Sequence, residues 1–107
     1  MSGVDRKTYE LHGKVMNEFM SGRCYDVDEP FVINCIEGVF NDVGLSIKEI
    51  ALFDIDGNVT NLLENARYVR VVATSKEVGG EQIFTLALIR VRGKYRVLYL
   101  QSAVKEG

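Results

Sequence analysis

The chain has 107 residues, of which 47% are hydrophobic and 26% are charged, and its formal net charge is −2 at pH 7. This composition is typical of one folded domain, residues 1–107, and not of a disordered chain. The slight negative charge argues against binding of nucleic acid over the whole surface. No apolar run approaches the ~20 residues of a membrane helix and no targeting segment is recognisable, so we expect a cytoplasmic protein without membrane contact.

The first predicted element is a helix over residues 5–21. Leu11, Val15 and Phe19 recur at four-residue spacing, which places them on one helix face. Gly22 follows directly and is a typical helix stop. The apolar stripe of this helix is narrow.

A second helix is predicted after Asp28 and Pro30, which are typical of a helix start, and it ends at Gly44. Its apolar residues share one stripe of period 3.6, so we expect this helix to be the main buried one. The stripe consists of Val32, Cys35, Ile36, Val39, Phe40 and Val43.

From residue 45 the hydrophobic period changes from helical to two, which predicts a strand running into the turn at residues 56–58. The residues expected on its apolar face are Leu45, Ile47, Ala51, Phe53 and Ile55.

Residues 66–103 predict three consecutive antiparallel strands joined by glycine turns at residues 79–80 and 93–94. Two-residue turns would pair Ala73 with Leu86 and Ile89 with Leu98. One face then carries Val69, Val71, Ala73, Phe84, Leu86, Leu88, Val97 and Tyr99. The other carries Tyr68, Val72, Ile83, Ala87, Ile89, Val91, Leu98 and Leu100. The helices can cover only one face, so the other is expected to meet a partner subunit or to line a ligand cavity.

Cys24 and Cys35 lack the spacing of a zinc site, and His12 is the only histidine in the chain. We therefore expect two reduced thiols, no metal site and no cofactor.

Two helices followed by an antiparallel meander predict the α+β class, with two N-terminal helices packed on a curved, four-stranded, mainly antiparallel sheet. Three features carry a family resemblance: the helix end at residues 18–22, the long strand pair 66–75 and 82–91, and the closing hairpin 88–98. With these features the chain resembles the nuclear transport factor 2-like superfamily, the cystatin-like α+β roll. The resemblance implies a homodimer through the open sheet face. It does not select an activity, because members include isomerases, hydrolases and carrier modules.

Residues 52–59, Leu-Phe-Asp-Ile-Asp-Gly-Asn-Val, resemble the first motif of haloacid dehalogenase-like phosphatases. In those enzymes the carboxylate matching Asp54 attacks phosphorus and the one matching Asp56 transfers a proton. That fold has a parallel sheet and a downstream acidic pair for magnesium, and this chain lacks the acidic pair. We therefore predict that Asp54 is structural, at a strand that ends in an Asp-Gly turn.

His12 is the candidate catalytic base, because it lies beside the apolar stripe of the first helix and could reach a cavity. Asp26, or Asp28, is the carboxylate that could assist it. A lone histidine at a helix edge is more often structural.

The basic hairpin with Arg90, Arg92, Lys94 and Arg96 could grip phosphate or single-stranded RNA. Alternation divides these charges between the two faces of the sheet, which favours a solvated hairpin end and no nucleic-acid partner.

The sequence thus favours a small noncatalytic module that dimerises and binds a small apolar ligand or a protein partner through its sheet face or a cavity. The residues predicted to bind are Tyr68, Arg70, Arg96 and Tyr99. Two alternatives stay open: a roll-fold enzyme that uses His12 with a carboxylate, and a nucleic-acid binder that uses the basic hairpin.

Overall fold

A computed structural model of the chain describes residues 6–105, so the predicted helix start at Asp5 lies outside the described residues. The elements are α1 (Arg6–Met20), α2 (Val32–Asp42), β1 (Ser46–Phe53), β2 (Tyr68–Thr74), β3 (Glu81–Val91) and β4 (Lys94–Lys105), with 3₁₀ turns at Glu29–Phe31 and Leu63–Asn65. All four strands form one antiparallel sheet in the order β1-β2-β3-β4. This confirms the α+β class. Neither helix is long and apolar enough to cross a membrane.

The core lies between the two helices and one face of the sheet, which we call the inner face. The predicted stripe of α2 is confirmed: Val32, Ile36, Val39 and Phe40 are fully buried, and Val43 packs partly against them. The ring of Phe40 lies 4.9 Å from that of Phe84 on β3 and 6.0 Å from that of Phe19 on α1. The Phe40 ring therefore connects α2 to the sheet on one side and to α1 on the other.

The start of α2 differs from the prediction. Asp28 precedes the 3₁₀ turn Glu29–Phe31, but its side chain makes no cap hydrogen bond. Its carboxylate instead accepts a hydrogen bond from Lys94 Nζ at 2.8 Å, at the start of β4. The sequence identified the helix start correctly and the role of this carboxylate incorrectly, because a distant cation competes with the local amides.

The faces of β2, β3 and the first half of β4 were predicted correctly, although both registers differ. Ala73 pairs with Gln82, and Ile89 pairs with Arg96. The first connection is longer than two residues, and the second turn is Arg92-Gly93, both at positive φ (53° and 81°). As far as Tyr99 each partner moves by an even number of residues, so no side chain changes face there. Leu100, predicted on the other face, has no partner in β3, because the register of β4 shifts at this residue. The inner face carries the predicted set, all buried apart from a half-buried Tyr99: Val69, Val71, Ala73, Phe84, Leu86, Leu88, Val97 and Tyr99.

The predicted face of β1 is wrong in its second half. A bulge shifts the register between Ile47 and Glu49, and Ile50 and Leu52 then pack against the core. Ala51 and Phe53, predicted to share a face with Ile47, are turned to the opposite face, since a one-residue insertion inverts the alternation. Ile55 lies beyond the strand and is 67% exposed.

Cys24 and Cys35 form a disulfide, with their Cα atoms 6.0 Å apart, so the expectation of two reduced thiols is wrong. The segment that follows α1 runs along β4, where Val27 pairs with Tyr95, and it brings Cys24 to the first turns of α2. This bridge depends on the tertiary path of the chain, which no local spacing indicates. Because the two cysteines form a disulfide, they no longer indicate a reducing compartment such as the cytosol.

Candidate functional site

The second face of the sheet, which we call the outer face, stays outside the core cluster. Its apolar side chains range from 8% exposed at Val72 to 38% at Ile89, whereas those of the inner face, apart from half-buried Tyr99, are close to zero. The set on the three long strands comprises Tyr68, Val72, Ile83, Ala87, Ile89, Val91 and Leu98, joined by Ala51 and Phe53 of β1. Both helices are thus packed on one side of the sheet.

Charged groups of both signs surround this apolar centre. At one end, Arg70 lies 3.9 Å from Glu49, and Lys48 forms an ion pair with Glu81. The hydrogen bond from Lys48 lowers the pKa of Glu81 and raises the pKa of Lys48. At the other end, the guanidinium of Arg96 lies 4.0 Å from the Asp26 carboxylate. The outer face therefore has an apolar centre with a mixed charged rim.

The four residues predicted to bind a ligand do not converge. Tyr68 and Arg70 on β2 and Arg96 on β4 lie on the outer face, where Arg70 covers the Phe53 ring at 5.1 Å. Tyr99 packs against the core on the inner face. The structure thus divides the predicted set between the two sides of the sheet.

The basic hairpin is largely engaged within the chain. Besides the Lys94–Asp28 and Arg96–Asp26 pairs, Arg90 stacks over the Tyr95 ring at 5.3 Å and donates a hydrogen bond to its hydroxyl at 3.2 Å. The hydrogen bond to Asp28 raises the pKa of Lys94. Arg90, Lys94 and Arg96 thus each contact a different partner within the chain, and Arg92 lies at the turn of the hairpin.

The acidic motif has a structural geometry. Asp54 Oδ1 accepts hydrogen bonds from the backbone N–H groups of Asp56 and Asn58, both at 2.9 Å. Such a carboxylate closes the turn after β1, as the sequence predicted.

His12 lies on the side of α1 that faces β4, with its ring 4.8 Å from that of Phe84. Its Nδ1 is 2.7 Å from Ser102 Oγ, and its Nε2 is 2.7 Å from Gln82 Oε1. Neither Ser102 nor Gln82 was predicted from the sequence. The predicted carboxylates lie elsewhere, since Asp26 is beside Arg96 and Asp28 beside Lys94.

The direction of the hydrogen bond between His12 and Gln82 follows from Gln82, which is fully buried. Its Nε2 donates to the carbonyls of Gly79 at 2.9 Å and Gly80 at 3.2 Å, so its Oε1 must accept from His12 Nε2–H. In the tautomer with its single proton on Nε2, the imidazole has a bare Nδ1, which accepts a hydrogen bond from the Ser102 hydroxyl. Tyr99 donates to Ser102 Oγ at 2.5 Å. The result is a directed chain from Tyr99 through Ser102 and His12 to Gln82.

A bulge in β4 assembles the cluster. The register with β3 shifts between Tyr99, opposite Leu86, and Gln101, opposite Thr85, which leaves Leu100 without a partner. After the shift Ser102 lies opposite Phe84 and therefore points to the inner face. The sequence offered a signal for Gln82, a polar residue in register with buried Phe84, but none for the bulge that turns Ser102 inward.

A groove opens beside this cluster, between α1 and the end of β4, with a volume of about 500 Å³. This α1–β4 groove is lined by Tyr9, His12, Gly13, Met16, Tyr99, Ser102, Ala103 and Val104. A Cβ at Gly13 would meet no atom within 4 Å, so the helix is open to the groove there. The groove thus joins apolar side chains to the hydroxyl groups of three residues, Tyr9, Tyr99 and Ser102.

Within residues 6–105, no three histidine, cysteine, aspartate or glutamate side chains converge on a point that could hold a metal ion. Among these described residues, no carboxylate, lysine or arginine lines the groove, and the His12 imidazole contacts the side chains of Ser102 and Gln82.

Comparison with known proteins returns no relative. No family model matches the chain, and neither the curated proteins nor the solved structures give a significant match. Function must therefore be argued from the outer face and the α1–β4 groove themselves.

Proposed function

We propose that the chain is a noncatalytic module of the nuclear transport factor 2-like, cystatin-like roll type, and that it forms a homodimer through the outer face of its sheet. One observation carries the dimer: the apolar centre of the outer face lies outside the core while both helices pack on the inner face. Contiguous apolar surface with a polar rim is typical of protein–protein interfaces.

The rim favours a second copy as the partner. A two-fold axis through the outer face brings the same patch of both subunits together. The rim carries cations and anions in pairs, Arg70 with Glu49 and Arg96 with Asp26, so a rotated copy can meet each charge with its opposite. A partner of one strong charge would find no such match.

Light scattering at micromolar concentration tests the dimer and should give about twice 12.0 kDa. Ile89→Lys places a charge in the apolar centre and should yield a monomer. Ile55→Lys is the matched control, because Ile55 is 67% exposed in the turn after β1, and this variant should remain dimeric. A monomeric parent protein, or a dimeric Ile89→Lys variant, would contradict the proposal.

The module also binds a small apolar ligand, and the α1–β4 groove supports this part of the proposal. Its volume of about 500 Å³ lies in the range of small-molecule sites, which join apolar walls to a few polar groups. The groove lies on the opposite side of the sheet from the proposed interface, so both can be occupied together.

The cytoplasmic location predicted from the sequence stays a prediction. In the cytosol, glutathione and thioredoxin would keep Cys24 and Cys35 reduced, whereas an oxidising compartment would preserve their disulfide. Alkylation of free thiols in intact cells, before lysis, distinguishes the two. Two alkylated cysteines would support the cytosol, and none would support an oxidising compartment.

A second candidate function, an enzyme with His12 as the base, is favoured by the hydrogen bond from Ser102 to His12 Nδ1. Ser102 Oγ would attack an ester carbonyl and pass its proton to Nδ1, which returns it to the leaving alcohol; water would then hydrolyse the acyl-serine. The hydrogen bond that Tyr99 donates to the same oxygen weakens this nucleophile. Hydrolysis of p-nitrophenyl acetate that disappears in Ser102→Ala would establish the enzyme in place of the noncatalytic module.

A further inference from the structure

We propose that the α1–β4 groove binds a small apolar molecule that carries an N–H or O–H donor and no negative charge. This inference rests on the ligand-binding part of the proposed function and names the class of ligand. Three observations carry it: the composition of the groove, the direction of its hydrogen bonds and the glycine in its helical wall.

Composition sets the apolar character of the ligand. Tyr9, Met16 and Val104 present rings and aliphatic groups to a groove of about 500 Å³. No lysine or arginine lines it, so a negative charge would enter without a cation to pair with. An anionic ligand is therefore disfavoured.

The hydrogen bonds of the cluster indicate that the ligand carries a hydrogen-bond donor. Every side-chain proton of the cluster is already used: Tyr99 donates to Ser102, Ser102 to His12, His12 to Gln82, and Gln82 to two backbone carbonyls. What remains on the hydroxyls of Ser102 and Tyr99 is acceptor capacity, because each oxygen has two lone pairs and within the cluster only that of Ser102 accepts a bond. At these two hydroxyls a ligand that donates a hydrogen bond can use this capacity, and a ligand that only accepts cannot. The third hydroxyl of the groove belongs to Tyr9, which is 76% exposed and therefore in contact with water.

Gly13 indicates that the space is kept open. Glycine inside a helix costs ~1 kcal/mol relative to alanine. A Cβ at Gly13 would touch nothing, so no close packing within the described chain requires glycine there. The missing side chain is what leaves the groove open beside His12 and Met16.

Indole and indene provide a matched test. They share the same fused rings, but indene has a CH₂ group in place of the N–H donor. Since His12 is the only histidine, its ring signals in NMR report the groove without ambiguity. We expect indole to shift and saturate these signals with a Kd of roughly 1 mM, and indene to bind about tenfold more weakly.

A second pair of probes tests the charge. Indole-3-carboxamide and indole-3-carboxylate have the same shape, and we expect the carboxylate to bind about tenfold more weakly because the groove offers it no cation. Equal affinity within this pair would overturn the exclusion of anions. Equal affinity of indole and indene would overturn the donor requirement.

Two leucine variants test the position of the site. Gly13→Leu fills the groove and adds a better helix former, so it should fold and lose indole binding. Asn17→Leu adds the same side chain to α1 at an exposed position outside the groove and should bind like the parent. Undiminished binding to Gly13→Leu, or no binding of indole to the parent, would overturn the site.

Failure of this inference can be distinguished from failure of the dimer by light scattering on the same samples. A dimer that does not bind indole leaves the interface standing and removes the ligand site. A monomer that binds indole removes the interface and leaves the ligand site standing.

Discussion

The two faces of the sheet are built from the same strands but are buried to very different degrees. On the inner face Val69, Phe84 and Leu86 are fully buried, whereas on the outer face Val72 keeps 8% and Ile89 38% of its surface exposed. Apolar residues occupy both sets of alternating positions in these strands, so the strand period does not show which face is covered. The position of α1 and α2 therefore decides which apolar face becomes the core and which remains partly exposed to solvent.

The inner face is not uniform either. Towards the end of β4 it changes from aliphatic packing to the cluster of Gln82, Ser102 and His12. The outer face also becomes polar away from its apolar centre, but through charged pairs at its ends.

Phe40→Ala should have the largest effect, a loss of ~3–5 kcal/mol, because the ring is fully buried between Phe19 and Phe84. Ile89→Ala, on the outer face, should cost less than ~1 kcal/mol when measured at a dilution where no dimer forms. Chemical denaturation of both variants provides the comparison. Equal losses would mean that the two faces are equally buried.

Cys35→Ala should cost about 2–3 kcal/mol, since the disulfide with Cys24 closes a short loop and restricts the unfolded chain. The measurement is the midpoint of urea unfolding for the variant and the parent, both without reductant. As a control, reductant should destabilise the parent and leave Cys35→Ala unaffected. If reductant leaves the parent unchanged, the disulfide is absent in solution.

Gln82→Leu should cost ~1–3 kcal/mol despite its similar volume, because His12 Nε2–H and the carbonyls of Gly79 and Gly80 lose their partner. In the parent, NMR of the neutral imidazole should show the Nε2–H tautomer, and in the variant a mixture of both tautomers. A variant as stable as the parent, with unchanged His12 signals, would show that the polar cluster does not exist in solution.

Lys48→Met should have the smallest effect, raising the pKa of Glu81 towards its ordinary value. Because Lys48 lowers this pKa in the folded state, the contribution of the pair is complete above the unfolded pKa of about 4.3 and is lost as pH falls through the lower folded value. NMR titration of the Glu81 carboxyl carbon measures the shift. An unchanged pKa in the variant would mean that the two side chains do not pair across the sheet in solution.

Local patterns in the sequence were enough to predict the α+β class, the buried stripe of α2 and the faces of β2, β3 and the first half of β4. These depend on local periods of 3.6 and 2, which survive any error in turn length that is even. Ala73 and Ile89 show this well, because both have partners other than those predicted and both lie on the predicted face.

The two bulges, the disulfide and the groove depend on long-range packing of the folded chain. A single inserted residue inverts every later side chain, as it does for Ile50 in β1 and for Ser102 in β4, and nothing in the local pattern marks where the insertion occurs. The Cys24–Cys35 bridge and the contact of His12 with Ser102 join segments that only the path of the folded chain brings together. His12 was therefore predictable as a candidate, while its partners were set by long-range packing that sequence periodicity does not contain.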